Sequence, residues 1–201
     1  MKNKTLAISI CILIALVVSA RWASTADNAP PADALQATDT TLALALSIED
    51  MVNQSDVIAI GNCLDTRSVW IDRSLVTFAT VAVSESLKGT PGETLTVVLP
   101  GGVDANRKIP IAMTYPGAPS LTPGENVFLF LTVDSEVGNG YNVAGFAQGK
   151  FSIVTDEDGE PAVSRDLRQM SLQGNNGVRR GASNMTPLKS LKDQVKGYLK
   201  Q

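Results

Sequence analysis

The chain has 201 residues, with 17 basic and 20 acidic side chains, a net charge of −3 and no histidine. Without histidine the usual general base at neutral pH and the commonest metal ligand are gone, which excludes serine and cysteine triads of the common kind. Two cysteines alone make a poor zinc site, and a mildly acidic chain lacks the basic face that nucleic-acid phosphates demand.

Residues 1–26 read as a secretory signal peptide. Lys2 and Lys4 precede an apolar run at 6–18, broken only by Ser9, and small residues follow. Cleavage fits after Ala20 or after Ala26. The run of 13 residues is shorter than the about 20 that a spanning helix needs, so no stable membrane insertion is expected after cleavage. Cleavage after Ala26 leaves 175 residues with 14 basic and 20 acidic side chains, a net charge of −6. The expected location is the periplasm or the extracellular space. Only Cys63 then remains, so no disulfide forms within the chain. Its apolar neighbours favour a small buried hydrophobe over a reactive thiol.

Residues 27–41, rich in Ala, Thr, Asp and Pro, read as a flexible leader to a single β-rich domain at 42–201. A short helix is expected within 42–55, with Ser47 and Asp50 at capping-box spacing. Strands are expected at 57–64, 75–83, 94–99, 109–113, 126–133, 141–146 and 151–155, with another near Ala162. The near-continuous apolar run at 126–133 predicts a central strand buried on both faces. Residues 115–124 carry three prolines and two glycines and are expected to be irregular. Residues 171–186 read as a polar loop. A closing amphipathic helix follows, capped by Thr186 with Pro187 in its first turn. Leu188, Leu191, Val195, Tyr198 and Leu199 line its apolar face, and its lysines read as a solvated face.

About seven short strands, with helices only at the ends, predict a mainly β fold, a small closed or half-closed barrel. A two-sheet sandwich competes with it, and periodicity does not separate the two.

No catalytic, cofactor-binding or metal-ligating set is expected. A Ser-Lys dyad stays open at Ser84 with Lys88, or at Ser190 with nearby lysines. A carboxylate-dependent hydrolase also stays open, because 20 acids always supply a pair. The acidic turn at 156–160 lacks calcium-loop spacing and reads as a hairpin turn. Pro100-Gly101-Gly102 reads as a turn rather than an anion cradle. Aromatic anchors are sparse. Trp70, in the connection between the first two strands, and Tyr115, in the proline-rich segment, are the candidate partner contacts. A partly buried packing role for Trp70 is the alternative.

The order of these features resembles that of exported bacterial proteins of unassigned function. The matching residues are Ser55-Asp56-Val57-Ile58-Ala59-Ile60-Gly61, Ser86-Leu87-Lys88-Gly89, the Gly101-Gly102 turn and Pro123-Gly124-Glu125-Asn126-Val127-Phe128-Leu129. The resemblance covers roughly residues 46–155. The same order is similar to the netrin-like, OB-type barrel of the tissue inhibitors of metalloproteinases. That likeness implies a barrel, to which the short N-terminal helix and the C-terminal amphipathic helix read above are added, and a protease-binding role with a secreted protease as partner. Those inhibitors engage the protease zinc through an N-terminal cysteine pinned by disulfides. The start of this chain after cleavage has no cysteine, so no inhibitory residue carries over.

Overall fold

In the computed structural model, which describes residues 40–138 and 140–200, the chain folds mainly into strands. Three sheets form. Eight strands pair in the order β13-β10-β9-β7-β2-β3-β4-β8, and β8 also pairs with β7. These are β2 (Val57–Ile71), β3 (Ser74–Lys88), β4 (Thr94–Pro100), β7 (Asn126–Val133), β8 (Tyr141–Val143), β9 (Lys150–Thr155), β10 (Pro161–Asp166) and β13 (Ser183–Pro187). A second sheet joins β1 (Thr41–Leu44), β11 (Met170–Gly174) and β12 (Gly177–Arg180). A two-stranded ribbon joins β5 (Gly102–Asp104) to β6 (Ile111–Met113). Among the described residues the helices are α1 (Ile48–Gln54) and α2 (Leu188–Tyr198). Among the described residues no helix is long and apolar enough to cross a membrane.

The centre of the fold follows from side-chain alternation along β7. Val127, Leu129 and Leu131 pack on one side with Val57, Ala59, Cys63, Val81 and Val97. Phe128 and Phe130 point the other way, against Met51 and Val52 of α1 and Leu191 and Val195 of α2. A strand between two apolar layers must be apolar where it is buried on both faces, which is why Val127 to Leu131 are apolar without interruption and 126–133 reads as a near-continuous run. β2 and β3 form a hairpin of two 15-residue strands, whose pairing shifts register three times. Such bulges bend a long ribbon and let it serve both layers.

The capping box holds as expected. The Asp50 amide donates to Ser47 Oγ (3.1 Å) and the Ser47 amide to Asp50 Oδ2 (2.9 Å). The acidic hairpin turn also holds, with Asp156 Oδ1 accepting from the amides of Asp158 and Glu160. Residues 115–124 form no regular structure.

Other expectations are corrected. The helix is shorter than 42–55, because 41–44 form β1, which pairs in parallel with β11. Thr41, the last residue of the expected leader, is therefore already in a strand; the leader from 27 to 39 and the signal peptide lie outside the described residues. The polar loop at 171–186 is mostly strand. Its segments β12 and β13 are held by backbone pairing while nearly all their side chains face solvent, so no apolar alternation marks them. Thr186 does not cap α2, because it lies in β13 opposite Val163; Pro187 takes the cap position without a side-chain bond. Trp70 is not in a connection but inside β2, opposite Leu75. Ile109 lies outside β6, and the segment 141–146 is strand only as far as Val143.

Candidate functional site

The two expected contact residues flank the β5–β6 ribbon. Pro100 ends β4, and Gly101 (φ 88°) and Gly102 (φ 153°) turn the chain into the ribbon with backbone angles that favour glycine. A side chain at Gly102 would also collide with the hydroxyls of Ser68 and Thr77. Those hydroxyls are 2.9 Å apart. Thr77 donates to the Gly101 carbonyl (2.7 Å), and Ser68 accepts from the Val103 amide (3.1 Å). The Gly101 amide donates to the Leu75 carbonyl (2.9 Å). These amides are committed within the protein, so the turn anchors the ribbon to the hairpin and offers no anion cradle.

On one flank, the Trp70 indole N–H donates to Asp104 Oδ2 (2.8 Å) and Arg107 lies 5.2 Å from the ring centroid. Arg107 Nε donates to the same carboxylate oxygen (2.8 Å). The Trp70 indole and then Arg107 hold the Asp104 carboxyl below its ordinary range. The ring is thereby fixed while 37% of Trp70 stays exposed. On the other flank, Tyr115 is 41% exposed and its phenol donates to the Met113 sulfur (3.3 Å). Tyr115 lines a groove of 500 Å³ together with Ser68, Thr77, Val103 and Leu121, and Trp70 lies outside it. The structure thus sets both residues beside one ribbon but not in one pocket. Sequence reasoning missed Val103 in β5 and Ile109 in the loop that joins β5 to β6, which are 55% and 77% exposed. It also missed the brace of Asp104 and Arg107, three residues apart, which only the position of Trp70 makes meaningful.

The Ser84–Lys88 dyad does not form. Ser84 donates to the Ile60 carbonyl (3.1 Å) and Lys88 to the Val52 carbonyl (2.7 Å). Lys150 instead meets Ser152 (2.8 Å), but Glu125 Oε1 contacts both, at 2.5 Å and 2.7 Å. A carboxylate with its counter-cation and one hydroxyl is a structural knot rather than a nucleophile with its base. Cys63 is fully buried, and burial followed by the charge of Glu125 pushes its thiol up. That environment disfavours the reactive thiolate.

Glu125 also sets a pH dependence. Burial alone raises its carboxyl, but the bonds from Lys150 and Ser152 outweigh this and hold it below its ordinary value of 4.5. A depressed carboxylate stabilises the fold fully above that ordinary value and loses its contribution as pH falls through the lower, folded one. Urea unfolding from pH 7 to pH 3 is therefore expected to show the wild type's advantage over Glu125→Gln shrinking below about 4.5. An advantage that stays constant with pH would show that the pair contributes through packing alone.

Compared with known protein families and with curated protein sequences, the chain shows no significant match to either.

Proposed function

We propose that the chain is an exported, non-catalytic binding domain, periplasmic or extracellular, built on a small OB-type barrel of the netrin-like kind. The barrel reading rests on the strand pairings: β2, β3, β4, β8 and β7 follow one another, and β7 returns to β2. In that ring β4 and β8 run parallel and the other neighbours antiparallel. A five-stranded, partly open barrel is the OB architecture.

The single observation that carries the binding reading is the braced Trp70 beside the exposed ribbon. An exposed aromatic fixed by a carboxylate and a guanidinium loses little freedom on association, and such anchors dominate protein interfaces. The partner is accordingly a protein surface, with a secreted protease as one version. The purified protein, immobilised, is offered to secreted metalloproteases and to envelope fractions, beside a Trp70→Ala/Tyr115→Ala variant that melts at the same temperature. The wild type is expected to retain a partner that the variant binds roughly 100-fold more weakly. Equal retention by both, or retention of nothing by either, sinks the reading. Inhibition of a protease by the wild type alone would select the inhibitor version.

Two other readings have less support. A carboxylate hydrolase requires two acids facing each other across a cleft, and among the described residues no hydrogen-bonding pattern singles out such a pair. Docking into an envelope assembly through the lysine-bearing face of α2 finds that face partly engaged within the domain, where Lys192 is paired with Glu85 (2.5 Å).

A further inference from the structure

A cavity of 570 Å³ lies between the 117–120 segment, β9, β10 and β12. That volume falls within the range of small-molecule sites, roughly 300–1,000 Å³. Four cations line it, Lys150, Arg165, Arg168 and Arg180, against one carboxylate, Asp166. Two of the four are already matched. Lys150 is paired with Glu125, and Arg168 with Asp166 through Nε (3.0 Å) and Nη2 (2.6 Å). Arg165 and Arg180 have no ion-pair partner among the described residues.

Arg165 is the more unusual of the two. Its guanidinium lies 4.7 Å from the Phe151 ring centroid and Nη1 donates to the Gln148 carbonyl (2.9 Å). Its Nε is buried without a partner. Burial, and then the like charge of Arg179, disfavour its cationic form. A charge taken out of water without a counter-ion is costly to a fold unless something supplies the opposite charge. Arg180 is exposed; only its Nε is used, donating to the Arg168 carbonyl (3.1 Å). Guanidinium groups bind oxyanions through paired N–H donors, and both side chains retain donors for that purpose.

We propose that this cavity binds a small organic dianion, a phosphate monoester or a dicarboxylate, whose charge is matched by Arg165 and Arg180. The matched pairs, Lys150 with Glu125 and Arg168 with Asp166, form the polar rim, and Ala118 and Pro119 supply an apolar wall for the ligand's carbon skeleton. The cavity adjoins the groove beside Tyr115, with which it shares Ala118, Pro119, Ser120 and Gln169.

Calorimetric titration of the purified protein at pH 7 and low ionic strength tests it, with glycerol 3-phosphate and succinate as probes and chloride at matched ionic strength as reference. At least one probe is expected to bind saturably at a single site, and the stronger one identifies the anion class. Arg165→Met keeps the stem over Phe151 and is expected to weaken binding ~10-fold or more, as is Arg180→Gln. Arg73→Gln, in the exposed turn between β2 and β3, should leave the affinity unchanged. If neither probe binds better than chloride, the proposal is overturned. It is equally overturned if Arg180→Gln, an exposed change that spares the core, binds as the wild type does. That second criterion decides the matter even where Arg165→Met fails to fold.

Discussion

Replacing Phe130 by alanine is expected to destabilise the protein by about 3–5 kcal/mol, a large share of the stability of a domain this size. Phe130 is fully buried in the middle of β7. Its ring centroid lies 5.4 Å from that of Phe128 and 6.0 Å from that of Phe151, both tilted, an arrangement that aromatic pairs favour. Met51 and Val52 of α1 and Leu191 and Val195 of α2 belong to the same cluster. Truncation would open a cavity where both helices meet the sheet, and rigid strands cannot collapse to fill it. Phe130→Leu keeps most of the volume and should cost roughly 1–2 kcal/mol. Urea unfolding at pH 7 measures both. A loss below about 1 kcal/mol for alanine would mean that this layer is not what fastens the helices.

The second large effect is expected at Gln148, which is buried although polar. Its Oε1 accepts from the Leu46 amide (2.9 Å), and its Nε2 donates to the carbonyls of Leu44 (2.7 Å) and Gly145 (3.2 Å). One side chain thus joins the end of β1 and the entry to α1 to the turn before β9. That turn is tight. A Cβ at Gly149 would lie 2.9 Å from the Phe130 carbonyl oxygen and 3.0 Å from that of Ala144. Gln148→Ala strands the Leu46 amide and the Leu44 carbonyl, each worth about 1–3 kcal/mol where water cannot replace the partner, while the Gly145 carbonyl keeps the backbone amide of residue 148 (3.3 Å). A total loss of about 2–4 kcal/mol is expected. Gln148→Leu restores the volume but not the bonds and should not rescue it. Hydrogen exchange gives the sharper readout, because the Leu46 amide should lose its protection before the core does. Continued protection of that amide in Gln148→Ala would show that the stitch is dispensable.

These two residues also mark what is readable in such a chain. The apolar run around Phe130 announces a strand buried on both faces, because each side chain must meet an apolar layer. Gln148 announces nothing. A glutamine before a glycine reads as surface, and only the return of β1 toward this turn buries it. The same holds for Arg165, which sits in a strand expected only near Ala162. Its cost comes from burial and from the like charge of Arg179, brought beside it by pairing between distant segments.

Trp70 and Tyr115 show the limit from the other direction. Their residue types were sufficient to nominate them, since large aromatics in a chain with few of them stand out. Their placement was not legible. Trp70 was expected in a connection and lies in a strand, because β2 runs on past its apolar half with alternating exposed positions.

By itself the sequence determined what depends on neighbours along the chain. That covers the Ser47–Asp50 cap, the turns at 101–102 and 156–159, the buried β7 and the lack of any histidine-based chemistry. Tertiary structure alone decided what depends on segments meeting across the fold. It recruited 41–44 and much of 171–186 into strands through backbone bonds that carry no side-chain signature. It braced Trp70 with Asp104 and Arg107, and it left Arg165 and Arg180 beside a cavity with no counter-ion among the described residues. Local propensity is written in adjacent residues, whereas pairing and charge balance are set by which distant segments fold onto each other.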